Sequence, residues 1–362
     1  MPAVELINVS KTFGKKKALD NVSLAVEEGS FTVMCGPPKA GKSLIFRILV
    51  GLETADEGRI LLSGRDITDE PASRRNIGYV PQSFALYPHM SVFDNIAYPL
   101  HLAGAPREEV ARKVDATVAM LSITHLVKKT PDQLSGGEKQ RVAVARGLMK
   151  DAAVFVLDDP LVGLDYKLRE RLMDEMKQLC EELRTTFFYA TSDSLEALTL
   201  AQSFIVLDDG RVVEKADVLS LYAEPQHVRS LELVGFPKAN VLQATSAGGA
   251  VDLAGLKLAG PDGLAAGAVL AGIRPEDVRL DHSQALKTEG TVQIIEHLGS
   301  EIVVYLDVGG SPVTAAFAAD GVVPPDLDSR IPVSVDPSRI MLFETASGRL
   351  LGRGRAGGAV HG

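Results

Sequence analysis

Residues 153–160 read AVFVLDDP, an apolar run that ends in two adjacent carboxylates, Asp158 and Asp159. A carboxylate at the end of a fully apolar strand is costly to bury unless it meets hydrogen-bond donors or a cation. The stretch GPPKAGKS, at 36–43, supplies a reason for such a cation. Gly36 and Gly41 let the backbone turn tightly, the loop's amides face phosphate, Lys42 reaches the outer phosphates and Ser43 can ligate magnesium. The magnesium that accompanies a nucleotide then gives Asp158 its partner. A third stretch, LSGGEKQRVAVARGL at 134–148, sets Ser135, Gly136 and Gly137 at the mouth of a helix. That is a second anion-binding helix N-terminus on one chain, and one nucleotide does not need both.

These groups must be positioned by a particular order of elements. FTVMCG at 31–36 reads as a strand leading into the helical KSLIFRILVGL, and later AVFVLD, KLRERLMDEMKQLCEEL, TTFFYAT and SLEALTLA continue the alternation. Such alternation predicts a parallel α/β sheet with helices on its faces, and ligands gather at the carboxyl ends of its strands. The opening VELINVSKTFGKKKALDNVSLAVEEGS predicts an antiparallel β layer leaning on that sheet. After Pro237 glycine and proline recur every few residues between AVLAGI, TVQIIEHLG, EIVVYLDV and IPVSVD, which predicts a small all-β barrel. The expected division is a nucleotide-binding domain at 1–235, a β accessory domain at 236–352 and a glycine-rich, disordered tail at 353–362.

Bulk properties narrow the class. With 362 residues, 46% of them hydrophobic, the chain can bury two cores. Its net charge of −9 argues against broad capture of nucleic acid or of an anionic bilayer. Two cysteines make no disulfide framework and suit a reducing compartment. No run approaches the ~20 apolar residues of a membrane-spanning helix. The start MPAVELINVSK lacks the layout of a secretory signal, so the protein is expected to stay where it is made.

Taken with Gln82 in YVPQSFALYPHMSV and with LVGLD after VFVLDDP, these stretches resemble an ATP-binding-cassette ATPase subunit. GIRPEDVRL at 272–280 and EHLG at 296–299 further resemble the accessory domain of importer ATPases of the maltose and glycerol-phosphate kind. The resemblance runs from about residue 4 to about residue 352. It implies a P-loop NTPase cassette with an antiparallel β subdomain, a helical subdomain at about 88–150 and a C-terminal OB-like (TOBE) barrel. It also implies head-to-tail dimerisation, each ATP lying between one chain's phosphate loop (Gly36, Pro37, Pro38, Lys39, Ala40, Gly41, Lys42, Ser43, Leu44) and the other's Ser135, Gly136 and Gly137. By the same resemblance Gln82 senses magnesium and γ-phosphate, Phe13 stacks on adenine, and the segment between Ser83 and Pro99 lies against coupling helices of membrane permease subunits. A solute-binding protein outside the membrane would choose the solute with those permeases, and this chain would sit at the cytoplasmic face.

Five departures from the family pattern fall together. Asp159 stands where the family has the water-polarising glutamate, and losing one methylene retracts the carboxylate by ~1.5 Å, where a misplacement of about 1 Å can cost on the order of 100-fold in rate. Ser192 stands where a histidine contacts γ-phosphate. Pro38 lacks an amide N–H, and Lys39 enters positive φ less cheaply than glycine, though its charge can compensate. Leu44 replaces the usual threonine. All of these belong to the ATP site that the chain's own sheet builds, while Ser135, Gly136 and Gly137, lent to a partner, are intact. The expectation is an importer subunit with a degenerate site beside a second, non-identical ATPase subunit. The alternatives are an active homodimer in which Asp159 suffices, a cassette protein unrelated to transport, and a chain whose β domain is the working part.

Overall fold

The computed structural model describes residues 1–183, 185–253 and 255–356. Two compact units divide at Val218, the second beginning with Leu219.

In the first unit β1 (Pro2–Phe13), β2 (Lys16–Glu27), β3 (Phe31–Cys35), α1 (Lys42–Leu49), β4 (Glu57–Leu62), β5 (Arg65–Asp66) and β6 (Ile77–Val80) come first. Three helices follow, α2 (Val92–Leu102), α3 (Arg107–Met120) and α4 (Gly136–Leu148). Then come β7 (Val154–Asp158), α5 (Tyr166–Leu183), β8 (Thr186–Thr191), α6 (Ser194–Leu200), β9 (Ser203–Asp208) and β10 (Arg211–Asp217). The main sheet has the order β10-β9-β3-β8-β7-β6, parallel throughout except for the β9/β10 hairpin. Every residue of β3, β7 and β8 is buried, the consequence of both faces being covered, and this is why these strands read as mostly apolar runs. The antiparallel layer expected from the opening is a four-stranded sheet, β2-β1-β4-β5. One core joins it to α1 and the main sheet through Val4, Leu6, Phe46, Ile48 and Phe188. Phe46 meets Phe188 edge-on at 4.8 Å, a pair worth about 1 kcal/mol beyond area burial.

The second unit takes in α7 (Val218–Ala223) from Leu219 onward and contains α8 (Val228–Leu233). Apart from short 3-10 turns at Pro275–Asp277 and Pro337–Arg339, its remaining regular elements among the described residues are strands, β11 (Asn240–Ala247), β12 (Ala250–Leu253), β13 (Leu256–Ala259), β14 (Gly267–Ile273), β15 (Val278–Arg279), β16 (Leu286–His297), β17 (Glu301–Val308), β18 (Ser311–Ala318), β19 (Arg330–Val335), β20 (Met341–Glu344) and β21 (Leu350–Arg353). Two antiparallel sheets, β13-β12-β11-β14-β20-β21 and β15-β19-β16-β17-β18, share one apolar core, the barrel-like arrangement the short strands predict. Buried Arg274 lies 4.0 Å from the Tyr222 ring and donates to the carbonyls of Tyr222 and Val234, tying α7 and α8 to the strands. The tail expectation needs correction at its start. Arg353 closes β21 and Arg355 bridges to Ala259, because these residues still find backbone partners. Residues 357–362 lie outside the described residues.

Candidate nucleotide-binding site

β3 delivers the chain to Gly36, where a Cβ would collide with the carbonyl oxygen of Leu207, so only glycine fits this crossing. The loop then closes on itself, Ala40 N donating to Pro37 O at 3.1 Å and Gly210 N donating to Ala40 O at 2.9 Å. Gly41, at φ 109°, starts α1, and a Cβ there would stand 2.8 Å from Leu19 Cδ2. Lys42 is only 8% exposed, and its ammonium donates to Gly36 O at 2.6 Å and Pro37 O at 3.1 Å. Burial pushes its pKa down. A desolvated cation beside a helix N-terminus favours an anion in this place. Lys39, exposed, holds φ 70°, the left-handed conformation that the sequence assigned to glycine's strengths. Leu44 packs against the core instead of offering a hydroxyl.

β7 ends at Asp158, 4% exposed, whose Oδ1 accepts from Ser43 Oγ at 2.9 Å. Burial raises its pKa, opposed by the Ser43 bond and by Lys42. Among the described residues no group of three or more His, Cys, Asp or Glu side chains is placed to hold a metal. The hydroxyl of Ser43, the carboxylate of Asp158 and the amide of Gln82 are hard oxygen donors too few to cage magnesium alone, but they fit magnesium that arrives with phosphate oxygens.

Asp159 is a half-buried residue at φ 49°, with its N–H donating to Ala190 O at 2.9 Å. Its carboxyl pKa is raised by burial, with Lys42 acting against the rise. Ser192 Oγ donates to Asp159 Oδ2 at 3.5 Å, the outer limit of a hydrogen bond. Lys39, Lys42, Ser43, Gln82, Asp158, Asp159 and Ser192 all line one cleft of about 560 Å³, together with Pro38, Gly41 and Leu44. Phe13 does not line it. The ring is 50% exposed near the tip of the β1/β2 hairpin, with Lys11 Nζ 5.5 Å from its centroid. Cys35, behind the loop, is a buried thiol pushed up to about 12, which leaves it inert.

Ser135, Gly136 and Gly137 also lie off the cleft. Ser135 caps α4, accepting from Glu138 N at 3.3 Å while its own N–H donates to Glu138 Oε2 at 2.7 Å. Ser135 and Gly136 are exposed, and a Cβ on Gly136 would meet nothing within 4 Å. Packing inside this chain does not explain that glycine.

Sequence reasoning missed the support behind Ser192. Glu196, 3% exposed, accepts from Tyr189 Oη at 2.9 Å and Thr191 Oγ1 at 2.8 Å, and stands 3.5 Å from Arg169. Arg169 also pairs with Asp193 at 2.8 Å. These groups clamp α5, β8 and α6 together around the residue facing Asp159. Lys16, Val162 and Asp209 were missed as well, although they line the cleft.

A phosphate loop at the carboxyl edge of a parallel sheet, with a buried acid bonded to its serine, defines a P-loop nucleotide-binding protein. The sequence matches the ABC transporter family over residues 19–162 and the TOBE domain over residues 271–343. It is 36% identical over 353 residues to the maltose/maltodextrin import ATP-binding protein MalK of Photorhabdus laumondii, covering 95% of this chain and 96% of that protein. To the MalK of Escherichia coli K12 it is 34% identical over 355 residues, covering 95% and 96%. Among solved structures the dimeric bacterial ABC transporter cassette MJ0796 is similar at TM-score 0.56 and 31% identity, over 59% of this chain and 98% of that one. A post-hydrolysis state of the same cassette, bound to ADP and Pi, is similar to the same degree. The chain belongs to the ABC transporter ATP-binding subunits of the maltose-importer type, ATPases that use ATP with Mg2+.

Proposed function

We propose that this chain is the ATP-binding subunit of an importer for a carbohydrate, polyol or similar polar solute, and that it completes the ATP site of a second, non-identical ATPase subunit better than it runs its own. The importer reading is supported by likeness to maltose/maltodextrin import ATP-binding proteins along almost the whole chain. In it, residues 1–235 form the cassette and 236–352 the accessory domain, a boundary that lies beyond the division of the two compact units at Val218. Residues 83–99 meet permease subunits at the cytoplasmic face of the membrane, and a solute-binding protein acts on the far side.

Ser43, Gln82 and Asp158 would hold the magnesium, and Lys42, Lys39 and the loop amides the phosphates. When bound, magnesium neutralises charge that develops on the transferred phosphoryl group. Asp159 orients the attacking water and takes its proton, Ser192 holds the Asp159 carboxylate, and Phe13 stacks on the base. Ser135, Gly136 and Gly137 face the partner's γ-phosphate.

One contrast carries the unlike-pair reading. The face lent to a partner is complete, with a capped helix and a glycine that nothing in its own chain requires. The cleft kept for itself pairs a short acid with a short hydroxyl at 3.5 Å. Asp159 remains a usable base, since burial raises its pKa, so slow turnover from its short reach is expected rather than none. Purifying the transporter from its native membrane through this chain tests the pairing. A second, different ATPase chain in equal amount is expected, and two copies of this chain alone would overturn the unlike pair while leaving the importer reading intact.

A further inference from the structure

Just past Gln82 the backbone takes a turn that residue type does not announce. Phe84 and Ala85 have φ 62° and 49°, two successive residues with a Cβ in the left-handed region. Such strain persists only where the surroundings hold it. Arg146, in the last turn of α4, holds both residues, Nη2 donating to Phe84 O at 2.9 Å and Nη1 to Ala85 O at 2.7 Å. The guanidinium also lies 5.4 Å from the Tyr87 ring centroid. On the far side the turn is fixed by Asn95 of α2, fully buried, which accepts from Tyr87 N at 2.8 Å and donates to Tyr87 O at 3.0 Å and Ser91 O at 3.0 Å.

The helix that carries this grip has Ser135 at its other end. A helix of that length is a rigid rod of about 20 Å. We infer that Arg146 is a positioning residue, a latch that binds the Phe84–Ala85 turn to α4, so that displacement of the 83–99 segment moves the helix carrying Ser135. Without the fork of two donors the turn relaxes to negative φ and the segment moves without the helix. The coupling role rests on the proposed permease contact at 83–99, whereas the latch itself does not.

The test uses the full-length chain with Arg146→Lys, which keeps the charge but loses the fork, with Ala85→Gly, and with both. In the isolated chain, Arg146→Lys is expected to speed hydrogen exchange of the 83–90 amides by about tenfold while the phosphate loop is unchanged. In the chain assembled with its permease subunits, solute-stimulated kcat is expected to fall by about tenfold with KM for ATP unchanged. Adding Ala85→Gly, which holds positive φ without strain, is expected to slow exchange again but not to restore kcat, because the two bonds to α4 are still missing. Ala85→Gly alone raises the melting temperature, and a fall would overturn the strain. Unchanged exchange in Arg146→Lys overturns the latch, and faster exchange with full stimulated kcat overturns its coupling role. Failure of the unaltered chain to assemble with permeases counts against the functional reading, and the exchange result still decides the latch.

Discussion

Asp159 and Ser192 meet across the cleft at a distance where a hydrogen bond is nearly spent. On the proposed reading both side chains fall short of the roles their positions carry, and each shortfall adds to the other. A glutamate would bring the carboxylate ~1.5 Å further into the cleft, and an imidazole would span the space that a hydroxyl leaves. The double substitution Asp159→Glu with Ser192→His is therefore expected to raise the steady-state ATP turnover of the purified chain by about 100-fold. No gain would move the defect to Pro38 and Lys39. Lys39 holds φ 70° at a cost of about 1 kcal/mol relative to glycine, and a cation at the mouth of a phosphate site is the compensation.

At the scale of elements, α4 separates stability from exchange with a partner. Its capping box holds the first turn, and Ser135→Ala should cost about 1 kcal/mol of stability in a denaturant titration. Because Ser135 does not line the chain's own cleft, ATP affinity of the isolated variant should match that of the parent chain. ATP turnover of the assembled transporter should drop sharply, and an unchanged rate there would remove Ser135 from the partner's site. The sheet was legible in the sequence because β3, β7 and β8 are buried on both faces and are therefore mostly apolar. The phosphate loop and Asp158 were legible because their chemistry needs particular residue types in fixed order. Glu196, Tyr189 and Arg169 were not, since the clamp is assembled from three elements whose spacing along the chain carries no period. The Phe84–Ala85 turn was invisible for another reason. Positive φ is usually signalled by glycine or asparagine, and neither is present.

At the scale of the whole molecule, on the proposed reading, the chain pairs a weakened cleft with an intact, exposed N-terminus of α4. A dimer of two such chains would contain two impaired sites, whereas an unlike partner with its own glutamate and histidine would gain one competent site from the faces supplied here. The β-rich unit is built on a separate apolar core, so substitutions in the cleft leave its packing untouched. The most direct measurement of this account is the ATP turnover of the purified full-length chain alone, with MgATP saturating and protein concentration high enough for self-association. A kcat well below about 1 s⁻¹, the low end for enzymes of ordinary speed, is the predicted result. Turnover at or above that value, sustained without any second ATPase subunit, would contradict it.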